Sequence, residues 1–214
     1  MIKLRRQMLR SLLAMSVAVL GLLAADVTGD SRAEAAGRWR LDFAGGTLSH
    51  AVLTATDGSS SHYYLTYTVT NGMEEAREAR IRIELRTDTD KTYRDRYDAA
   101  VVAKAEKNLK KEGLSSTFGL RKEALESGSA KEAIAVFGEL DPDADELEVR
   151  VYGLWDPIYR DLKGRTWSER RVLVLKYERP GDEYRRTEDT IRFVSSKQEV
   201  EGEPILLRRI DKEE

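Results

Sequence analysis

The strongest constraint on the fold is a strict alternation of apolar or aromatic with mostly hydroxyl-bearing residues between Tyr63 and Thr70. Because successive side chains of a β-strand point to opposite faces, this period of two predicts a strand with one buried and one exposed face. The predicted core face carries Tyr63, Leu65, Tyr67 and Val69, and the predicted outer face carries Tyr64, Thr66, Thr68 and Thr70.

A second alternating segment follows the dipeptide Asn71-Gly72. Asn and Gly tolerate the positive φ of a tight turn, so the dipeptide predicts that the two segments form an antiparallel pair. We expect this pair to be the seed of a β-sandwich. The second strand carries Ala79, Ile81, Ile83 and Leu85 on its core face and Arg80, Arg82, Glu84 and Arg86 on its outer face.

Further segments carry strand patterns on both sides of this pair. Residues 38–43 alternate up to Gly45-Gly46, which predicts a break before an extended segment at residues 48–56. Residues 133–137 predict a buried strand, although Ser129 and Glu132 have the spacing of a capping box that would open a helix instead. Later strands are predicted at residues 147–152 with one face in solvent, at 171–177 as a central strand covered on both sides, and at 191–194 and 205–210.

Residues 98–112 interrupt the strand rhythm with a run of good helix formers. An acid at the start, Lys110 and Lys111 near the end and Gly113 beyond them are typical of helix ends. The apolar stripe is narrow, so we expect the helix to pack on an end or edge of the sandwich. The stripe consists of Val101, Val102, Ala105 and Leu109.

Together these patterns predict a mainly β protein: an immunoglobulin-like antiparallel β-sandwich with one inserted α-helix at residues 98–112. No internal repeat or low-complexity linker divides the chain after its first 35 residues, so residues 36–214 are expected to form a single domain. The predicted core contains Leu65, Tyr67, Ile81, Ile83, Val149, Val151, Leu173 and Leu175.

Residues 1–35 predict a signal peptide, because a positive start and an apolar run at residues 11–25 precede the small-x-small sequence Ala33-Glu34-Ala35. We expect export to the periplasm or the cell exterior, a mature chain that begins near Ala36, and no stable membrane insertion after cleavage. An uncleaved membrane anchor is the competing interpretation, and the choice between twin-arginine and general export stays open. The positive start consists of Lys3, Arg5, Arg6 and Arg10.

Composition excludes several function classes. The chain has no cysteine, which removes disulfides, thiolate catalysis, iron–sulfur clusters and a lipidated cysteine anchor. Its formal net charge is -2, and loss of the leader removes five basic and three acidic residues. The mature chain is therefore mildly acidic, which makes it a poor candidate for nucleic-acid binding.

One loop has carboxylates at alternate positions, as calcium loops often do: Asp141, Asp143 and Asp145. It lacks the glycine of a helix–loop–helix calcium site, and Tyr152 stands where that motif has its bidentate glutamate. Pro142 fits the second position of a type I turn with aspartate capping. We favour the turn over a cation site, and we assign neither a metal nor another cofactor.

The two histidines, His50 and His62, offer no metal-ligand spacing, and no serine elbow accompanies them. We expect both at the surface or at a strand edge. No catalytic residue is assigned, because any pair of acids chosen from so many would be arbitrary.

The arginines Arg77, Arg80, Arg82 and Arg86 form the most one-sided charged series in the sequence, and the last three are the candidate ligand face. Glu78 and Glu84 interrupt the series, so cross-strand pairing with acids is the first interpretation. The alternative is a face that binds an acidic glycan or a protein ligand.

A resemblance adds to these patterns. Residues 125–153, taken with residues 63–71, 87–95 and 177–193, resemble a family of secreted bacterial immunoglobulin-like β-sandwich proteins of unknown function. The shared features are strands and turns: a Gly and small-polar turn, a strand ending in an aromatic, a Pro/Asp loop and an alternating strand. The resemblance implies export and the sandwich fold, and it brings no catalytic residues.

Three functions stay open. The first is a non-catalytic binding module with an unknown protein or glycan partner outside the cytoplasm. The second is a structural or assembly component of a cell-envelope complex, and the third is a carboxylate-based hydrolase. Exposed aromatic residues or an exposed edge strand would favour the first, a self-complementary apolar face the second, and a deep cleft with two carboxylates of perturbed pKa the third.

Overall fold

The computed structural model describes residues 33–35, 40–56, 58–155, 157–161, 163–180 and 191–207, and within them the chain is mainly β. The strands are β1 (Ala33–Ala35), β2 (Leu41–Ala55), β3 (Gly58–Asn71), β4 (Arg77–Glu78), β5 (Arg82–Thr87), β6 (Thr92–Arg94), β7 (Ser115–Ser116), β8 (Ala124–Leu125), β9 (Ala130–Phe137), β10 (Glu146–Tyr152), β11 (Ile158–Arg160), β12 (Thr166–Ser168), β13 (Arg171–Glu178), β14 (Arg192–Val200) and β15 (Ile205–Leu207). The helices are α1 (Ala99–Leu109) and α2 (Thr117–Leu120).

Two sheets supply most of the core. The first has the strand order β14-β13-β10-β5-β6, and all its pairs are antiparallel. The second has the order β2-β3-β9-β7, in which only the short β7 runs parallel to its neighbour. Two smaller sheets, β1-β11-β12-β15 and β4-β8, complete the described part of the chain.

Buried side chains from both larger sheets form one hydrophobic cluster. The predicted core face of β3 is confirmed, since its four residues are between 0% and 4% exposed. Seven of the eight predicted core residues are buried, and the exception is Leu173, which is only partly buried at the edge of the cluster. Alternation identified these faces because a strand's two sides follow from local geometry alone.

The predicted pairing of β3 with β5 is wrong. The two strands lie in different sheets, where β3 pairs with β2 and β9 and β5 pairs with β10 and β6. Neither Asn71 nor Gly72 has a positive φ. Asn71 is fully buried, and its side chain holds a longer connection between the sheets by donating to the carbonyls of Glu75 and Leu125, both at 2.8 Å.

Gly45-Gly46 does not end a strand, contrary to expectation. The chain stays extended through β2, and the glycines mark a shift in its register with β3. Both have positive φ, and the Gly46 carbonyl accepts a hydrogen bond of 2.6 Å from the Tyr177 hydroxyl. The glycines therefore form a bulge, where an extra residue bends a strand without breaking it.

Helix α1 is confirmed within the predicted range, but its position is not. It begins after Asp98, whose carboxylate accepts from the backbone of Ala100 and Val101, and it ends at Lys110 in the left-handed conformation. Val101 and Ala105 pack on the face of the β2-β3-β9 sheet rather than on an edge, in a cluster that also buries Tyr64. Helix α1 thus partly covers the outer face of β3. Leu109, predicted to belong to the apolar stripe of the helix, is 37% exposed.

The remaining strand predictions had mixed outcomes. Residues 130–137 form a strand, so the capping-box alternative is wrong. Strand β10 does not have one face in solvent, because both Arg150 and Tyr152 on its predicted outer face are buried. Glu84, expected on an outer face, is also buried. Arg150 on this face contacts Glu148 of its own strand at 2.7 Å and Glu199 of β14 at 3.2 Å.

The predicted leader lies almost wholly outside the described residues, as do the start of the mature chain and Trp39. Of the predicted cleavage sequence, Ala33–Ala35 forms β1 and pairs with β11. No helix in the described ranges is long and apolar enough to span a bilayer.

Candidate functional site

A cleft of about 280 Å³ is the best candidate for a binding site, and we name it the arginine cleft. Two segments form it: the stretch between β6 and α1, and the β7–α2 segment. Both are tied to β9, since Arg96 bridges to Val136 and Ser116 pairs with Ile134. The lining consists of Asp95, Arg96, Tyr97, Ser116, Phe118 and Arg121.

The floor of the arginine cleft is a fixed polar network. Thr117 is 1% exposed, and its hydroxyl lies 2.8 Å from the buried Tyr67 hydroxyl. The Asp95 carboxylate accepts a hydrogen bond of 2.9 Å from the backbone of Val136 and a second one from Thr117. Burial raises the pKa of Asp95, while these two hydrogen bonds and the nearby Arg121 cation oppose that rise.

The two arginines hold their guanidinium groups differently. Arg121 donates from Nε to the Ile81 carbonyl at 2.6 Å. Arg96 places Nη2 3.4 Å from Nδ1 of His62, and its guanidinium lies against Gly138, where an added Cβ would sit only 3.0 Å from Nη2. Both residues are exposed, and neither forms an ion pair within 4.0 Å with any carboxylate in the described part of the chain.

Two exposed aromatic rings complete the lining. Tyr97 is 65% exposed and Phe118 is 58% exposed, and these are the largest exposures among the large hydrophobic residues that the structure describes. The Lys122 ammonium lies 4.5 Å from the centre of the Phe118 ring, so a cation covers one side of that ring. Exposed aromatic surface beside charged donors is typical of binding sites.

The arginine face predicted from the sequence is organised differently. Arg80 donates to Glu78 at 3.1 Å, and Arg82 and Arg86 lie 3.8 and 3.9 Å from Glu84. Arg82 also stacks over the Tyr152 ring, with 4.1 Å between its guanidinium and the ring centre. Each arginine therefore has an acidic partner two residues away in the sequence, and Arg86 also lies 3.8 Å from Glu201.

In the loop with alternating carboxylates, Asp141 is buried and already engaged. Its carboxylate contacts the Lys91 ammonium and the Thr89 hydroxyl, both at 2.7 Å, and accepts from the backbone of Asp143 at 3.3 Å. Hydrogen bonds from Lys91 and Thr89 lower the pKa of Asp141 to about 2. Among the described residues, no three histidine, aspartate or glutamate side chains are grouped so that they could hold a metal ion.

The histidines have serine partners that the sequence did not reveal. His50 Nε2 lies 2.5 Å from the Ser61 hydroxyl, and His62 Nε2 lies 2.9 Å from the Ser60 hydroxyl. His62 is 7% exposed, so its expected surface position is wrong. Its Nδ1 faces the Arg96 guanidinium instead of a carboxylate, which is the opposite of a serine–histidine–aspartate site.

A second cleft of about 310 Å³ lies where β5 and β13 end and β10 begins. Its lining contains four acids and two bases: Asp88, Glu146, Glu148 and Glu178, with Arg86 and Lys176. Lys176 lies 3.9 Å from Glu148, and Glu178 pairs with Arg192, which lies outside the lining. The one aromatic lining residue, Tyr177, is buried, so this second cleft exposes no ring to a ligand and is a weaker candidate than the arginine cleft.

No protein-family model, curated protein or solved structure matches this chain. The resemblance to secreted immunoglobulin-like proteins therefore stays a prediction. The arginine cleft was missed at the sequence level, although each of its segments carries a visible signal: Arg96 beside Tyr97, and Phe118 close to Arg121. Nothing in either segment indicates that β9 brings them together.

Proposed function

We propose that this chain is an exported, non-catalytic binding module with an immunoglobulin-like antiparallel β-sandwich fold, and that its ligand binds in the arginine cleft. Two sheets that share one hydrophobic cluster support the sandwich. The resemblance to secreted bacterial sandwich proteins supports export and belongs to the same proposal.

The observation that carries the proposal is the pair of exposed aromatic residues, Tyr97 and Phe118, beside two arginines that form no ion pair within 4.0 Å in the described part of the chain. Exposed aromatic side chains leave apolar surface in water, and aromatic residues and arginine are both enriched where proteins bind partners. A hydrolase would place two carboxylates in one cleft. The arginine cleft has Asp95 as its single acidic lining residue.

The test compares binding to arrays of glycans and peptides by the purified chain and by the double variant Tyr97→Ala, Phe118→Ala. We expect array signals for the unmodified protein to be lost in the double variant. Phe193→Ala is the matched control, because Phe193 is 51% exposed on β14, outside the arginine cleft. Signals of equal strength in all three proteins, or cleaved probes detected by mass spectrometry, would contradict the proposal.

A structural role in a cell-envelope assembly is the alternative, and one surface favours it. Strand β14 stands at the edge of the five-stranded sheet and exposes Phe193, Val194 and Val200 at 51%, 47% and 54%. Under this alternative the purified chain self-associates in light scattering, and Val194→Lys makes it monomeric. A monomer at all concentrations would rule the alternative out for self-assembly.

A further inference from the structure

We propose that the arginine cleft recognises an oxyanion carried on a sugar ring, so that its ligand is an acidic glycan with uronate or sulfate-ester groups. This inference rests on the proposed binding function and names the ligand class for the same site. Three properties of the cleft support it: the way its guanidinium groups are held, its uncompensated charge, and its exposed rings.

Arg121 has the arrangement of a preset anion ligand. Its Nε is used by the Ile81 carbonyl at 2.6 Å, which fixes the plane of the guanidinium. Both terminal nitrogens are left without a hydrogen-bond partner in the described part of the chain. A planar fork with two parallel donors matches the two oxygens of a carboxylate or a sulfate.

Arg96 adds a second cation with spare donors. Among the described residues only its Nη2 has a side-chain partner, the imidazole ring of His62 at 3.4 Å, which carries no negative charge. The single opposing charge in the lining is Asp95, which is half-buried and directed at the backbone of Val136 and at Thr117. The cleft is thus positive, in contrast to the strand face where Arg80, Arg82 and Arg86 each have an acid nearby.

The rings and the size of the cleft favour a sugar. A volume of about 280 Å³ lies at the lower end of ligand pockets and suits one or two ring-sized groups. Tyr97 and Phe118 supply apolar ring faces on which the C–H face of a pyranose can pack, and the Tyr97 hydroxyl can hydrogen-bond a sugar hydroxyl.

An acidic peptide is disfavoured by the backbone around the cleft. Peptides commonly gain affinity by pairing their main chain with an exposed strand edge. Three N–H groups around the cleft are already used: that of Arg96 donates to the Val136 carbonyl, that of Val136 to Asp95, and that of Gly119 to Ser116. Recognition therefore depends on side chains, which suits a ligand with dense oxyanions and rings.

The first experiment is calorimetric titration of the purified chain with four defined probes. These are a galacturonic acid trisaccharide, its neutral methyl ester, a carboxylate-free sulfated oligosaccharide, and a glutamate hexapeptide. We expect at least one acidic sugar to bind at least about tenfold more tightly than the methyl ester, with affinity that falls as salt rises. The uronate and sulfate probes then identify which oxyanion the cleft prefers.

The second experiment tests the residues with the probe that binds. Arg96→Gln and Arg121→Gln are each expected to weaken binding about tenfold or more, and Asp95→Asn to strengthen it by removing the opposing charge. Arg80→Gln is the matched control, because Arg80 is exposed but paired with Glu78. Thermal unfolding of each variant shows whether a loss of binding comes from misfolding. Asp95→Asn keeps the test informative, because tighter binding cannot come from misfolding.

Three outcomes would overturn the inference: no acidic sugar binds, the methyl ester or the peptide binds as tightly as the acidic sugars, or Arg80→Gln weakens binding as much as Arg96→Gln. These failures are separate from failure of the proposed function. If other array ligands still lose binding in the Tyr97→Ala, Phe118→Ala variant, the chain is a binding module for another ligand class.

Discussion

Truncation of Ile83 tests the assignment of strand faces most directly. Ile83 is 1% exposed near the start of β5 and pairs with Val151 of β10 within the large hydrophobic cluster. Ile83→Ala removes three carbons, which costs about 2.4 kcal/mol at roughly 0.8 kcal/mol per buried group. The cavity left behind adds to this, so the total falls within about 2–5 kcal/mol.

The neighbouring residue provides the matched control. The Arg82 side chain is 50% exposed, lies 3.8 Å from Glu84 and stacks on Tyr152. Such surface pairs contribute about 0–1 kcal/mol, so Arg82→Ala is expected to change stability little. In denaturant melts the two variants should differ clearly, and a loss of about 3 kcal/mol should lower the Tm by roughly 6–12 °C. Equal losses for both variants would refute the assigned faces of β5.

Three further predictions follow from the leader and from the Asp141 loop. N-terminal sequencing of the protein from its host should give a start near Ala36; an intact Met1 in a cytoplasmic fraction would contradict export. The Tm should be equal in excess calcium and in a chelator, because the Asp141 carboxylate is engaged by Lys91 and Thr89. A calcium-dependent rise in Tm that disappears in the double variant Asp143→Ala, Asp145→Ala would make the loop a cation site. The pKa of Asp141 is lowered from 3.8 to about 2, so its contribution to stability is present above pH 3.8 and lost as the pH falls toward 2. The urea midpoint of the unmodified protein should therefore fall as the pH drops through that window, and Asp141→Asn should make this fall shallower. Asp143→Asn is the control, and an equally steep fall in both variants would refute this assignment.

The sequence predicted the faces of strands well where a local rule decides them. Tyr63, Leu65, Tyr67 and Val69 are buried because alternate residues of any strand share a side, and the same rule placed Ile81 and Ile83. The helix ends were also predictable, since Asp98 acts on the first turn beside it in sequence.

Pairing was less predictable, because it depends on distant residues. Asn71-Gly72 has the composition of a tight turn, but Asn71 is held by the carbonyl of Leu125, which no local pattern reveals. The burial of Arg150 is a similar case, since one of the acids that cover it, Glu199, comes from β14. A polar residue in an alternating strand predicts an exposed face only when nothing packs on it.

The candidate site was missed for the same reason. The sequence drew attention to Arg80, Arg82 and Arg86 because they are close together, yet their charges are matched by nearby acids. Arg96 and Arg121 are separated by helix α1 and become neighbours only through β9. Closeness in sequence therefore identified a dense group of arginines. The arginines that lack an ion pair were brought together only by the tertiary structure.

The passage of the chain from one sheet to the other at Asn71 also sets the pace of folding. Strand β5 cannot pair with the strand before it, and its main partner β10 follows only after both helices and β9. The β10 partners of Ile83 and Leu85, Val151 and Val149, are consequently missing until most of the chain has been synthesised. Folds dominated by such non-local pairing have a high contact order and fold in milliseconds to seconds rather than microseconds. During that interval one edge of β5 stays open to pairing with another chain.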